Sequence, residues 1–146
     1  MSELLAPERV AYGVPATSRK RALELAAHAL AGGANDPGES VILDSLLGRE
    51  RLGSTAIGYG VALPHGRVDG LAQSRGAFIR LAQPVDFDAA DGVPVDLVFG
   101  LIVPLKCDDE HLAALATIAA RFDDAELRDA LRATRDPMRA LKLLEV

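Results

Sequence analysis

The sequence predicts an α/β fold: a mixed β-sheet flanked by helices on both faces, a three-layer sandwich, in a single domain spanning residues 1–146. Three observations carry this expectation. Apolar residues recur at helical spacing towards both ends of the chain. Residues 93–103 form a nearly continuous apolar run rich in Val, Leu and Ile, as suits a strand covered on both faces. The chain has 146 residues, 49% of them hydrophobic and 25% charged, which is enough to bury one core and short for two.

The elements follow in order. A first helix is expected from Ser18 to Leu30, because Leu23, Ala26, Ala27 and Leu30 fall at i, i+3, i+4 and i+7, with Gly32-Gly33 as a stop. A second should start at Asp36 as cap, with Pro37 in the first helical position and Glu39 completing a capping box. It continues through Ile42, Leu43, Leu46 and Leu47 to about Arg51. Between Arg75 and Ala82 the residues alternate, Ala77, Ile79 and Leu81 against Phe78 and Arg80, as in an outer or half-covered strand. The run from Val93 to Val103, closed by Pro104, is the candidate centre of the sheet. Asp108 is the expected cap of a third helix whose buried stripe is Leu112, Leu115, Ile118, Ala119 and Phe122. Helices over Ala125–Ala133 and Pro137–Leu144 complete the sandwich.

Composition excludes several functions. No window reaches eighteen uninterrupted apolar residues and Met1 to Val10 lacks the plan of a secretory signal, so a cytoplasmic protein without membrane insertion is expected. The single Cys107 cannot form an internal disulfide or a cysteine metal site. A net charge of −5 with scattered basic residues argues against a nucleic-acid partner.

The most unusual segment is Gly53-Ser-Thr-Ala-Ile-Gly58-Tyr-Gly60-Val-Ala-Leu-Pro64-His65-Gly66-Arg67, in which four glycines and a proline surround one histidine. Glycine admits positive φ and close backbone approach, and Pro64 fixes its own φ and biases Leu63 towards an extended conformation. Together they can hold one imidazole rigidly where a partner can approach it. A nucleophilic histidine needs a free ring nitrogen, and an ordinary imidazole is largely neutral near pH 7. A phosphorylated ring would add roughly two negative charges and call for donors nearby. Arg67, Ser54, Thr55, Arg49 and backbone groups of the glycine-rich turn such as Gly66 are the candidates. His111 lies in line with Leu115, Ile118 and Phe122 in the first turn of its helix, half buried yet able to project from the helix end. His28, inside the first helix, reads as structural.

Other chemistries fit worse. Gly58-x-Gly60 lacks the third glycine of a dinucleotide fingerprint and runs into Val61-Ala62-Leu63-Pro64 rather than a helix. There is no Walker sequence, and His65 and His111 lack a third metal ligand. No cofactor or metal is expected.

The stretch Leu46-Leu-Gly-Arg49-Glu50-Arg-Leu-Gly-Ser-Thr-Ala-Ile-Gly-Tyr-Gly-Val-Ala-Leu-Pro-His65-Gly-Arg67 resembles the signature of the fructose-, mannitol- and nitrogen-type enzyme IIA proteins of the phosphoenolpyruvate-dependent phosphotransferase system. Pro94 to Pro104 and Glu110-His-Leu-Ala-Ala-Leu115 resemble that family's central strand and following helix, so the likeness runs from about Ser18 to the end. It implies that His65 is phosphorylated, that His111 is the second active-site histidine, and that Arg49 is the cation beside the phosphoryl group. It also implies a histidine phosphocarrier protein as donor. The wording is closest to the nitrogen-type branch, whose output is binding to a regulatory target protein; a homodimer is compatible with it. Tyr59, where asparagine is expected in many members, and Lys106-Cys107-Asp108 depart from the pattern and are expected near the site.

Three functions therefore compete. One is a regulatory phosphocarrier, whose surface is switched by charge at His65. A second is a sugar-specific enzyme IIA that passes phosphate to an enzyme IIB. The third is a binding module that is never phosphorylated, against which the intact set His65, His111 and Arg49 argues.

Overall fold

The computed structural model of the chain describes residues 4–32, 37–106 and 109–144, with backbone alone for 109–112. A 3-10 turn (Pro7–Arg9) leads into β1 (Val10–Val14), α1 (Arg19–Leu30) and α2 (Glu39–Leu52). Three short strands follow, β2 (Ala56–Gly58), β3 (Val61–Ala62) and β4 (His65–Val68), and then two long ones, β5 (Arg75–Val85) and β6 (Val95–Pro104). The chain continues with α3 (Asp109–Phe122), α4 (Ala125–Ala133) and α5 (Pro137–Leu144).

The strands form one mixed sheet in the order β1-β5-β6-β3-β2, and β4 also pairs with β6. β6 lies at the centre, as its unbroken apolar run predicts: β5 is antiparallel to it on one edge, and β3 and β4 run parallel on the other. Helices cover both faces. Ala77, Ile79 and Leu81 of β5 pack in one core with Leu23, Ala26 and Leu30 of α1 and Ile42 and Leu46 of α2. Phe78 faces the opposite core with Ile118 and Phe122 of α3, Leu127 and Leu131 of α4, and Ala140 and Leu144 of α5. There Phe122 stacks on Phe78 at 6.2 Å and meets Phe99 edge-on at 6.0 Å between ring centroids, arrangements favoured by the ring quadrupole.

Three expectations need revision. β5 is not an outer or half-covered strand: it lies between β1 and β6 and is covered on both faces as far as Leu81. The reason is β1, a five-residue strand that pairs in parallel along the far edge of β5. Helix α2 begins at Glu39 behind an extended Gly38, so Pro37 precedes the cap rather than opening the helix; the expected cap Asp36 lies outside the described residues. Glu39 is thus the first residue of the helix rather than the third, and its carboxylate accepts a hydrogen bond from His28 Nδ1 at 2.6 Å, which ties the end of α1 to the start of α2. Ser18, expected as the first residue of α1, is instead its cap, its Oγ accepting from the Arg21 N–H at 3.1 Å; the expected cap Asp108 lies outside the described residues, as does Cys107.

Candidate functional site

The glycine-rich segment folds as a tight reversal followed by two strands laid against β6. Gly58, Tyr59 and Gly60 carry consecutive positive φ values of 100°, 60° and 77°, which turns β2 back into antiparallel β3. A left-handed Tyr59 is uncommon for a non-glycine residue and is held on several sides. Its N–H donates to Asp91 Oδ2 at 2.9 Å, its carbonyl accepts from Arg132 at 2.6 Å, and the Arg128 guanidinium sits 4.1 Å from its ring centroid. The N–H groups of Tyr59 and, secondarily, Val93 hold the Asp91 carboxyl below its ordinary range. A Cβ at Gly60 would fall 2.6 Å from the Arg132 guanidinium. Tyr59 was expected beside the site but is remote from it. Its turn abuts Asp96 and Leu97 through the Gly60 carbonyl, while His65 pairs with Leu101, which is about 13–16 Å further along β6 at the rise of an extended chain.

His65 opens β4. The carbonyl of Pro64 accepts from the Leu101 N–H at 2.9 Å, and the ladder from His65 to Val68 then holds the strand in parallel register on β6. Gly66 and Val68 face α2 and its core, leaving His65 and Arg67 on the other side, as alternation requires. The close approach of α2 demands the glycine: a Cβ on Gly66 would lie 2.1 Å from Ser45 Oγ and 3.2 Å from the Ser45 carbonyl carbon.

Among the described residues one hydrogen bond orients the half-buried His65 ring, Nδ1 to the Leu63 carbonyl at 2.7 Å. A carbonyl oxygen only accepts, so Nδ1 carries the proton and the neutral ring keeps its lone pair on Nε2. Two clefts flank the imidazole, of about 390 and 340 Å³, and His65, Arg49 and Leu115 line both. The first cleft adds Gly66 and Arg67, the second Ser54 and Thr55. No acidic residue lines either cleft among the described residues, in a chain of net charge −5. Arg49 is fixed near the end of α2 by donating from Nη1 to the Gly53 carbonyl at 2.9 Å. Apolar side chains stand around the site: Leu52 is 84% and Ile57 41% exposed.

The predicted residues are brought together unequally. Arg49, His65, Gly66 and Arg67 share one cleft. Ser54 and Thr55 reach the second cleft, but their hydroxyl protons are committed elsewhere. Ser54 Oγ donates to the Phe87 carbonyl, and Thr55 Oγ1 donates to Glu50 Oε1 at 2.6 Å. The backbone of α3 includes position 111, whereas the His111 side chain lies outside the described residues; from the same helix Leu115, Ala116 and Ala119 reach the second cleft. Glu50 was not foreseen. It is 7% exposed and continues the Ile42, Leu46 stripe of α2 at i+4 spacing, and a carboxylate on an apolar stripe was the available signal.

Among the described residues no group of three or more His, Cys, Asp and Glu side chains is placed to hold a metal ion. Among the same residues no helix is long and apolar enough to cross a membrane.

Comparison with known proteins bears on this geometry directly. Residues 3–146 match the family described as Phosphoenolpyruvate-dependent sugar phosphotransferase system, EIIA 2. The chain is 45% identical to a nitrogen regulatory protein of Bradyrhizobium diazoefficiens over 139 residues, covering 93% of this chain and 88% of the relative. It is 44% identical to a nitrogen regulatory protein of Pseudomonas aeruginosa over 132 residues, covering 90% and 86%. Among solved structures, the nitrogen regulatory protein IIA-Ntr of Neisseria meningitidis superposes with a TM-score of 0.92 at 37% identity, covering 99% of this chain and 98% of that one.

Proposed function

The chain belongs to the phosphotransferase-system EIIA type-2 family, and from that premise we propose that it is a phosphohistidine carrier of the nitrogen-type branch that accepts a phosphoryl group on Nε2 of His65. The single observation that carries this reading is the His65 Nδ1–H bond to the Leu63 carbonyl, which leaves Nε2 as the nucleophile.

The donor is a protein bearing a phosphohistidine, the histidine phosphocarrier protein. The Nε2 lone pair attacks phosphorus as the donor's P–N bond breaks, and the bonding electrons return to the donor imidazole. The proton on Nδ1 stays in its hydrogen bond to Leu63, which offsets the positive charge developing on the ring. Arg49 and Arg67, in the same cleft as His65, offset the charge on the phosphoryl oxygens. Transfer between two imidazoles is nearly symmetric, so alignment and charge supply most of the catalysis. The exposed Leu52 and Ile57 supply apolar surface for the opposing protein. The relatives' regulatory names support an output through a target protein rather than through an enzyme IIB.

The test is incubation with phosphoenolpyruvate, enzyme I and the histidine phosphocarrier protein, followed by intact mass and acid lability. One acid-labile phosphoryl adduct is expected, absent from His65→Ala and slowed about a hundred- to a thousandfold in Arg49→Ala, the range for losing one preorganised electrostatic contact. A folded His65→Ala protein that labels like the wild type refutes the assignment.

A further inference from the structure

The geometry points to Glu50 as a positioning residue for His65, acting through Thr55. The inference rests on the phosphocarrier reading, in which His65 is the reacting group.

A carboxylate is costly to bury unless it is paired and hydrogen-bonded, and Glu50 is both. Its Oε2 accepts from the Thr55 N–H at 2.8 Å and its Oε1 from the Thr55 hydroxyl at 2.6 Å, while Arg19 Nη1 stands 3.7 Å from Oε2. These bonds fix Thr55 in both backbone and side chain. The Thr55 carbonyl in turn accepts from the Leu63 N–H at 3.0 Å, and the Leu63 carbonyl accepts from His65 Nδ1 at 2.7 Å. Pro64, whose φ is locked by its ring, is the single residue between Leu63 and His65. The direction of the Leu63 carbonyl is therefore passed to the imidazole with little slack.

The same turn also holds the cation. Arg49 precedes Glu50 and donates to the Gly53 carbonyl. Ser54 anchors the turn from another side on the Phe87 carbonyl, which also accepts from Arg19 at 3.3 Å. Two members of the site, the imidazole and Arg49, thus hang from the turn that Glu50 staples. If Thr55 were released, the Leu63 carbonyl could swing, the two neutral tautomers of His65 would approach equal population, and Nε2 would lose its aim.

A purely structural staple would change stability alone, so the test reads the ring itself. In the full chain, Thr55→Val removes the hydroxyl and keeps the β-branch, Glu50→Gln weakens the acceptor, and Thr55→Ser restores the hydroxyl. Two quantities are measured where circular dichroism reports a folded protein. One is the His65 tautomer from ring ¹⁵N NMR at a pH where the ring is neutral; the other is the single-turnover transfer rate at saturating donor. The expectation is an Nδ1–H tautomer in the wild type, a mixed population with transfer slowed about ten- to a hundredfold in Thr55→Val, a smaller loss in Glu50→Gln, and return of both readouts in Thr55→Ser. A folded Thr55→Val with wild-type tautomer and rate overturns the proposal; should that variant not fold, wild-type behaviour of Glu50→Gln does so. Failure of the wild type to accept phosphate refutes the phosphocarrier reading instead, and the tautomer comparison, which needs no phosphate, still decides the role of Glu50.

Discussion

Replacing Gly66 by Ala tests how closely α2 must lie on the strand that carries His65. The added Cβ would meet Ser45 Oγ at 2.1 Å, Ser45 Cβ at 3.1 Å and the Ser45 carbonyl carbon at 3.2 Å. The hydroxyl can rotate away, but it then gives up its 2.7 Å bond to the Arg67 carbonyl, worth about 1 kcal/mol. The other two atoms belong to the helix and cannot leave without it, so α2 must lift by a few tenths of an ångström. The total should be about 1–3 kcal/mol, the usual range for overpacking. Urea unfolding should show the loss as a lower midpoint at unchanged slope, about 1 M for a domain of this size. Adding Ser45→Ala removes the nearest atom and should restore about 1 kcal/mol of it in a double-mutant cycle. Because α2 also carries Arg49, the single variant should transfer phosphate more slowly while still accepting it. A Gly66→Ala protein within 0.5 kcal/mol of wild type, or a cycle with no coupling to Ser45, would refute the packing argument.

Two further outcomes are expected. Phe122→Ala empties a fully buried position between Phe78 and Phe99 and should cost about 3–5 kcal/mol by urea unfolding; a loss below about 1.5 kcal/mol would mean that the two aromatic neighbours collapse into the space. Burial above all, opposed by Arg80 and aided by Asp136, pushes the Tyr12 phenol up to about 12. A phenol raised in the folded state stabilises the fold fully below its unfolded pKa of about 10, and that contribution disappears as the pH climbs towards 12. In a Tyr59→Phe variant the tyrosinate absorbance should therefore stay low through about pH 10, and its complete appearance there with native circular dichroism would contradict the burial.

The legible parts of the fold were those where one local pattern decides. The apolar run of β6 could only be a covered strand, the stripe of α1 placed that helix within a residue, and α4 and α5 occupy the ranges expected for them. The alternation of Ala77, Phe78, Ile79 and Leu81 correctly divided β5 between two cores. What it could not reveal was that Arg80, a charged residue in a buried strand, has Tyr12 opposite it in β1. That pairing joins residues far apart in the sequence, and Gly13 breaks the short run that would have announced the strand. At the helix starts, Asp36-Pro37 and Gly38-Glu39 both carry start signals two residues apart, and nothing local ranks them. At the site, the glycine and proline wording singled out His65 because few other needs explain it. The roles of Ser54 and Thr55 were harder to foresee, since a hydroxyl beside a phosphate site and a hydroxyl that staples a turn look alike until the acceptor is known. Here the acceptors are the Phe87 carbonyl and the Glu50 carboxylate.

The place of β4 has a consequence for how a message could leave the molecule. β6, to which β4 is bonded, is paired along both edges and walled in by both helical layers, so it belongs to the part of the chain that opens last. A group written onto His65 would thus sit one strand away from the most protected part of the sheet. Phosphorylated and free forms built this way would share one shape and differ in potential, and a reader protein would tell them apart as one tells two coins of the same die by their charge.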